Sequence, residues 1–251
     1  MVAVLLAPRT GATETPRWSS AELRAAVRGG QPVVVHVTVA LCHNEQVNCG
    51  AHGLGSPGNL RTNLYWGAMY GTKTIFAAHP EWRAVAQHHA VPGILERAVY
   101  RRRVPGTHWN RTRSVEQLVV IDAIHGTRIN RAVERFYRLA TSGGSVTIDD
   151  GNKRRRLDIN AVGYAGHNRL MDGMRLPTAV ADPRQPVPSF VMACLSDRFF
   201  SQAMRAAGST PIVMTRSFMA PEGYVVEAAV RALGDHRSRP EIRSAVVDAY
   251  A

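Results

Sequence analysis

Cysteine is scarce in this chain. Three cysteines in 251 residues cannot all pair, so a disulfide framework is not expected and a reducing interior is. Long apolar runs are missing as well. No stretch approaches the ~18 apolar residues of a membrane span, which sets a membrane protein aside. The string Met1 to Ala7 is too short for a secretory core and no basic region precedes it, so a cytoplasmic protein is the expectation. The 14 prolines and 21 glycines fall short of a disordered composition, and the 45% apolar content is that of a globular chain. At this length the fold can bury roughly three quarters of its unfolded surface. One domain over 1–251 is expected.

Lysine is rarer still. Only Lys73 and Lys153 are present, so 29 of the 31 basic residues are arginine and the formal net charge is +12. A basic excess attracts phosphates and other acidic partners. These arginines are scattered, however, with two triplets at Arg101–Arg103 and Arg154–Arg156, and neither triplet is interleaved with the aromatics of a base-stacking platform. A basic module that engages an acidic partner or nucleic acid is therefore the second reading, not the first.

Apolar runs alternate with amphipathic segments. Residues 33–41 form a β-branched run of buried-strand type, and 115–123 form a second. Asn63 is expected to cap a helix through Tyr65, Trp66, Met69 and Tyr70, weakened by Gly67 and Gly71. Thr127 is expected to cap a helix whose apolar positions Ile129, Val133, Phe136, Tyr137 and Ala140 recur at helical spacing and which Gly143 ends. A hairpin is expected around Asp150-Gly151, with strands at 159–165, 190–194 and 212–215. Asp197 caps a helix to Ala207, Pro221 opens one to Leu233, and 240–251 forms a last one. Strands separated by helical crossovers imply a single α/β domain with a mainly parallel sheet flanked by helices.

In such sheets sites form beyond the carboxyl ends of strands. Cys42-His43-Asn44 follows the first strand, His125-Gly126 the second, Gly166-His167-Asn168 the third, and Ala193-Cys194 ends the fourth. A thiol and several imidazoles thus share one rim, the inventory of a thiol nucleophile with an imidazole base. A competing constellation is the run Cys42, His43, Cys49 and His52, which holds enough donors for zinc but lacks the spacing of a zinc finger. No phosphate-binding loop, dinucleotide fingerprint or His-Glu-x-x-His helix is present.

The blocks Val162-Gly163-Tyr164-Ala165-Gly166-His167-Asn168 and Ser189-Phe190-Val191-Met192-Ala193-Cys194 resemble the two catalytic blocks of the caspase, legumain and gingipain group of cysteine peptidases. The resemblance spans 32–235 in architecture and about a dozen residues in motif, and it implies a caspase-like fold acting on a peptide substrate. It implies Cys194 as nucleophile and His167 as base, ranked above His125, with backbone donors for an oxyanion at Cys194 and near His167, at Gly166 and Asn168. Asn168 stands where that group has glycine. Substrate contacts are expected from Cys42, His43 and Asn44 after the first strand and from Arg216 after the fifth, while Asp172 is open between orienting a base and capping a turn. No cofactor is implied. The blocks at 63–68 (Asn-Leu-Tyr-Trp-Gly-Ala) and 219–222 (Met-Ala-Pro-Glu) are similar to those of uncharacterised bacterial proteins and imply no activity.

Overall fold

The computed structural model describes residues 18–51, 53–88, 91–177 and 186–251. The elements follow in the order α1 (Ala21–Arg28), β1 (Val33–Ala40), α2 (Thr72–Ala78), β2 (Arg83–His88), β3 (Glu96–Val104), β4 (Val115–Ile124) and α3 (Ile129–Ser142). Next come β5 (Ser145–Asp150), β6 (Lys153–Asp158), β7 (Ala161–Ala165), β8 (Ser189–Met192), α4 (Ser196–Ala206), β9 (Pro211–Met214), α5 (Gly223–Gly234) and α6 (Arg239–Tyr250).

Strand β1 carries the logic of the sheet. Each of its eight residues is buried, because it lies between two parallel neighbours with helices over both faces. Val33, Val35, Val37 and Val39 enter one apolar cluster with α5 and α6, while Val34 and Ala40 enter the other with α3 and α4. The sheet runs β2-β3-β4-β1-β7-β8-β9. From β4 to β9 every pair is parallel, and β3 and β2 add an antiparallel edge beside β4. The mainly parallel α/β sheet expected from the alternation of apolar runs is present.

Several boundaries differ from expectation for local reasons. No helix starts at Asn63; that side chain is fully buried and bonds backbone instead, and the helix begins at Thr72. The helix after β4 is preceded by a 3₁₀ turn, Gly126–Arg128, in which the His125 side chain accepts from the Thr127 amide. Helix α3 then starts at Ile129, and Gly143 leaves it at φ 64°, a left-handed value that suits glycine. Leu195, not Asp197, occupies the N-cap of α4. The hairpin turning at Asp150-Gly151 forms as β5–β6, and its Val146, Ile148 and Leu157 cover the α3 side of the sheet.

Strands β2 and β3 went unread because β3 (ERAVYRRRV) carries the arginine triplet that resembles a solvated surface. Arg102 is in fact buried, donating to Gln117, to the Arg231 carbonyl and to the carboxylates of Glu81 and Asp235. Arg101 and Arg155 share Glu116 and Asp150. Part of the basic excess is therefore paired internally, which leaves less of it for a binding groove. Among the described residues no helix is long and apolar enough to cross a membrane.

Candidate active site

The parallel strands deliver their carboxyl ends to one rim, and β1 is where the chain reverses its direction of travel across the sheet. It pairs with β4 on one side and β7 on the other, the topology that opens a crevice at strand ends. Along this rim stand His125 after β4, His43 after β1, His167 after β7 and Cys194 after β8.

Strand order separates the two candidate bases. Neighbouring strands lie ~4.8 Å apart, so β4 stands three spacings, about 14 Å, from β8, whereas β7 is its direct neighbour. His167 therefore belongs beside Cys194, and His125 does not. Burial, then Arg128 and His43, push the His125 imidazole below its ordinary value, and its Nδ1 lies 2.8 Å from the Thr127 hydroxyl.

The loops after β7 and β8 are tied together. The Gly166 amide donates to the Met192 carbonyl (3.2 Å), and the fully buried Asn168 donates through Nδ2 to the Cys194 carbonyl (2.6 Å). Asn168 also accepts from the Leu170 amide, so its side chain is a clamp between two loops. The Gly166 amide is thereby committed to the neighbouring strand end, whereas the Asn168 backbone amide makes no hydrogen bond among the described residues. The physical reason is the tight turn out of β7, in which the Gly166 amide holds the neighbouring strand end.

His167 is oriented by a carboxylate. Its Nε2 lies 2.7 Å from Asp172 Oδ2, to which Arg169 also donates at 2.8 Å. A carboxylate only accepts, so Nε2 carries the proton and Nδ1 presents the lone pair. Burial raises the Asp172 carboxyl, but the hydrogen bonds and charges of His167 and Arg169 together outweigh it and hold the group below its ordinary value. The choice left open for Asp172 is thus decided for orientation of an imidazole.

Cys194 is the free cysteine and is partly exposed, not a packed hydrophobe. Its thiol donates to the Met219 carbonyl (3.3 Å), and the Met219 amide points back at the sulfur (3.4 Å). The next residue, Leu195, sits at φ 50° and ψ 31°, a left-handed conformation that a branched apolar residue rarely adopts. The Leu195 amide donates to the Ser217 carbonyl, holding that turn against the segment after β9. The Cys194 amide makes no hydrogen bond among the described residues.

The remaining expected site residues are divided. Cys42 and Cys49 are joined as a disulfide, seven positions apart, which corrects the expectation of reduced thiols: an odd cysteine count leaves one over but does not prevent one pair. Neither sulfur is then available to zinc in this state, and His52 lies outside the described residues, so the four-donor set is not assembled. Cys42 is 1% exposed, and Asn44, which is exposed, accepts from the Cys49 amide and donates to the Gly50 carbonyl, so both shape the loop. His43 keeps a place on the rim, with a buried Nδ1 that lacks a partner. The Arg216 guanidinium is 90% exposed and pairs loosely with Asp197 (3.3 Å). It lines an apolar groove of about 400 Å³ with Met192, Thr215, Met219, Val246 and Tyr250, which adjoins the Cys194 turn through Met219.

One group was missed. Tyr65 is 6% exposed, and Cys194 and Glu222 act electrostatically on its phenol. Tyr65 and Glu222 belong to the blocks at 63–68 and 219–222, which are far apart in sequence; the Gly223 amide donates to the Tyr70 carbonyl and so ties the two segments together. A signal existed in those blocks, but not its chemistry.

No family model, no curated protein and no solved structure matches this chain. The rim itself has to carry the functional reading.

Proposed function

We propose that this chain is a cysteine peptidase-like hydrolase or acyl-transfer enzyme with a caspase-like fold, acting on a peptide substrate through Cys194 and His167. One observation carries the reading: a free, partly exposed thiol ends one strand, and an imidazole backed by a carboxylate ends the adjacent parallel strand. The thiol at its free pKa is a weak nucleophile at neutral pH, and a neighbouring base supplies the thiolate.

In the proposed reaction His167 Nδ1 accepts the thiol proton as the sulfur adds to the acyl carbon. Asp172 holds the ring and stabilises the imidazolium. The carbon–nitrogen bond then breaks, His167 returns the proton to the departing amine, and a thioester remains on Cys194. Water, or a second amine, attacks that thioester with His167 again as base, releasing the acid or the transferred product. The strand order from β4 to β9, taken with the two blocks ending at His167 and Cys194, supports the caspase-like reading of the fold.

The test is labelling by a peptidyl chloromethyl ketone at pH 7, read by mass spectrometry. Cys194 should be the labelled residue, labelling should vanish in Cys194→Ala, and the rate should fall about 10²-fold in Asp172→Asn and His167→Ala, at the low end of what a positioned base contributes. A thiol that reacts no faster than free cysteine, with a rate indifferent to both substitutions, overturns the proposal.

A further inference from the structure

We propose that the substrate is an acidic peptide cut after a bulky apolar residue. The apolar groove beside Cys194 takes the side chain of that residue, and Arg216 and Arg243 take the acidic side chain next to it. The inference rests on the reading of Cys194 as nucleophile and names the substrate class of that site.

Three observations support it. The first is where the groove begins. The Met219 carbonyl accepts from the Cys194 thiol (3.3 Å), the Met219 amide lies 3.4 Å from the sulfur, and Met219 lines the groove. Met192, two positions before Cys194 on β8, is part of the same wall, and α6 adds Val246, Val247 and Tyr250. A carbonyl attacked by the sulfur therefore carries its own side chain within reach of this wall. The segment between thiol and groove is also fastened, since the Thr215 hydroxyl donates to the Ala193 carbonyl and the Leu195 amide to the Ser217 carbonyl (2.9 Å).

The second is size. At about 400 Å³ the groove lies at the lower end of the ~300–1,000 Å³ of ligand pockets, room for a side chain or two and not for a folded partner. Val247 is 66% exposed and Tyr250 46%, so apolar surface stands open there that a side chain would cover. The third is charge. A second basin of about 340 Å³ shares Met214, Arg216 and Arg243 with the groove and adds Arg205 and Asp197. Three guanidinium groups and one carboxylate line it, and Arg205 and Arg243 make no ion pair among the described residues. Arg243 donates through Nε to the Ile212 carbonyl (2.8 Å), which fixes its guanidinium beside the edge strand β9. An excess of positive charge at fixed positions attracts a carboxylate and repels lysine.

Acetyl-dipeptidyl chloromethyl ketones read both parts of the site. Each alkylates Cys194 with loss of chloride, and its last residue stands where the acyl residue would stand. Each rate is divided by that of Cys194 alkylation by iodoacetamide in the same protein, so that a change in the thiol itself cancels. Wild type should prefer acetyl-Glu-Leu over acetyl-Glu-Gly about 30-fold, the gain from burying a leucine side chain. It should prefer acetyl-Glu-Leu over acetyl-Lys-Leu about 5-fold, and that preference should fall toward unity at 1 M salt, where the screening length is ~3 Å. In Arg216→Glu the preference for Glu over Lys should be lost. In Val247→Asp, a surface change on the groove wall, the preference for Leu over Gly should drop at least about fivefold. A reactive wild type that does not distinguish Leu from Gly, or Glu from Lys, overturns the proposal and leaves the nucleophile in place. Preferences that survive both substitutions also overturn it. So does a dimer, seen by analytical ultracentrifugation, that Val247→Asp dissociates, which would make this groove a contact between copies. A wild-type Cys194 that reacts with no ketone faster than free cysteine does is a separate result: it overturns the nucleophile reading, and this inference falls with it.

Discussion

Asp122, in the middle of β4, is 0% exposed and receives four charge-assisted hydrogen bonds. Arg97 reaches Oδ1 through Nε (2.7 Å) and Oδ2 through Nη2 (2.8 Å), His36 Nε2 reaches Oδ2 (2.8 Å), and Arg135 Nη2 does the same (2.9 Å). Asp122→Asn keeps the shape and removes the charge. Arg135 is 38% exposed and can turn to solvent, but the Arg97 side chain is 8% exposed and among the described residues retains only the Thr147 carbonyl at 3.3 Å. The cost is therefore mainly that of one buried guanidinium without its counter-ion, about 3–5 kcal/mol. That is a large part of the ~5–15 kcal/mol by which domains are stable. Urea unfolding at pH 7, followed by tryptophan fluorescence, measures it. Pairing the change with Arg97→Met should recover most of the loss, because no charge is then left unpaired. Burial alone would raise the Asp122 carboxyl, but His36 and Arg97 outweigh it and hold the group far below its ordinary value near 3.8. The stability this confers is complete above pH ~4 and declines as pH falls further, at up to ~1.4 kcal/mol per unit. That acid limb should be absent from Asp122→Asn. A loss under ~1 kcal/mol at pH 7, or an acid limb that persists in the variant, would refute the reasoning.

Two further outcomes follow from buried positions. In Gly163→Ala the added Cβ would stand 2.2 Å from the Phe190 ring, itself 1% exposed, so overpacking should destabilise by at least ~1–3 kcal/mol and slow Cys194 labelling through displaced β7 and β8 ends; an unchanged unfolding midpoint contradicts this. Burial drives His36 below its ordinary value of 6.5, so only the unfolded chain takes up that proton as pH falls from 6.5; wild type should lose up to ~1.4 kcal/mol per unit there that His36→Gln does not, and parallel stability curves for the two proteins from pH 7 to 5 count against it.

Periodicity and strand-end residues go far in this chain. The β-branched run of β1, the apolar spacing of α3 and the Asp150-Gly151 turn are local signals, and local signals survive in sequence. Strand β3 was not legible, because a buried arginine such as Arg102 reads as solvated until its partners Glu81 and Asp235 come together from distant segments. The disulfide was missed although Cys42 and Cys49 share a loop in the sequence, because only the folded loop brings their Cα atoms to 6.1 Å.

By itself the sequence determined an α/β chain whose strand ends carry Cys42, His43, His125, His167 and Cys194, because buried parallel strands are written as apolar runs and their ends as polar breaks. Only the tertiary structure decided which of these meet. Placing β7 against β8, and β4 three strands away, depends on crossovers whose direction no residue pattern encodes. The same holds for Asp172 behind His167, a contact made by the folding of a loop over the rim.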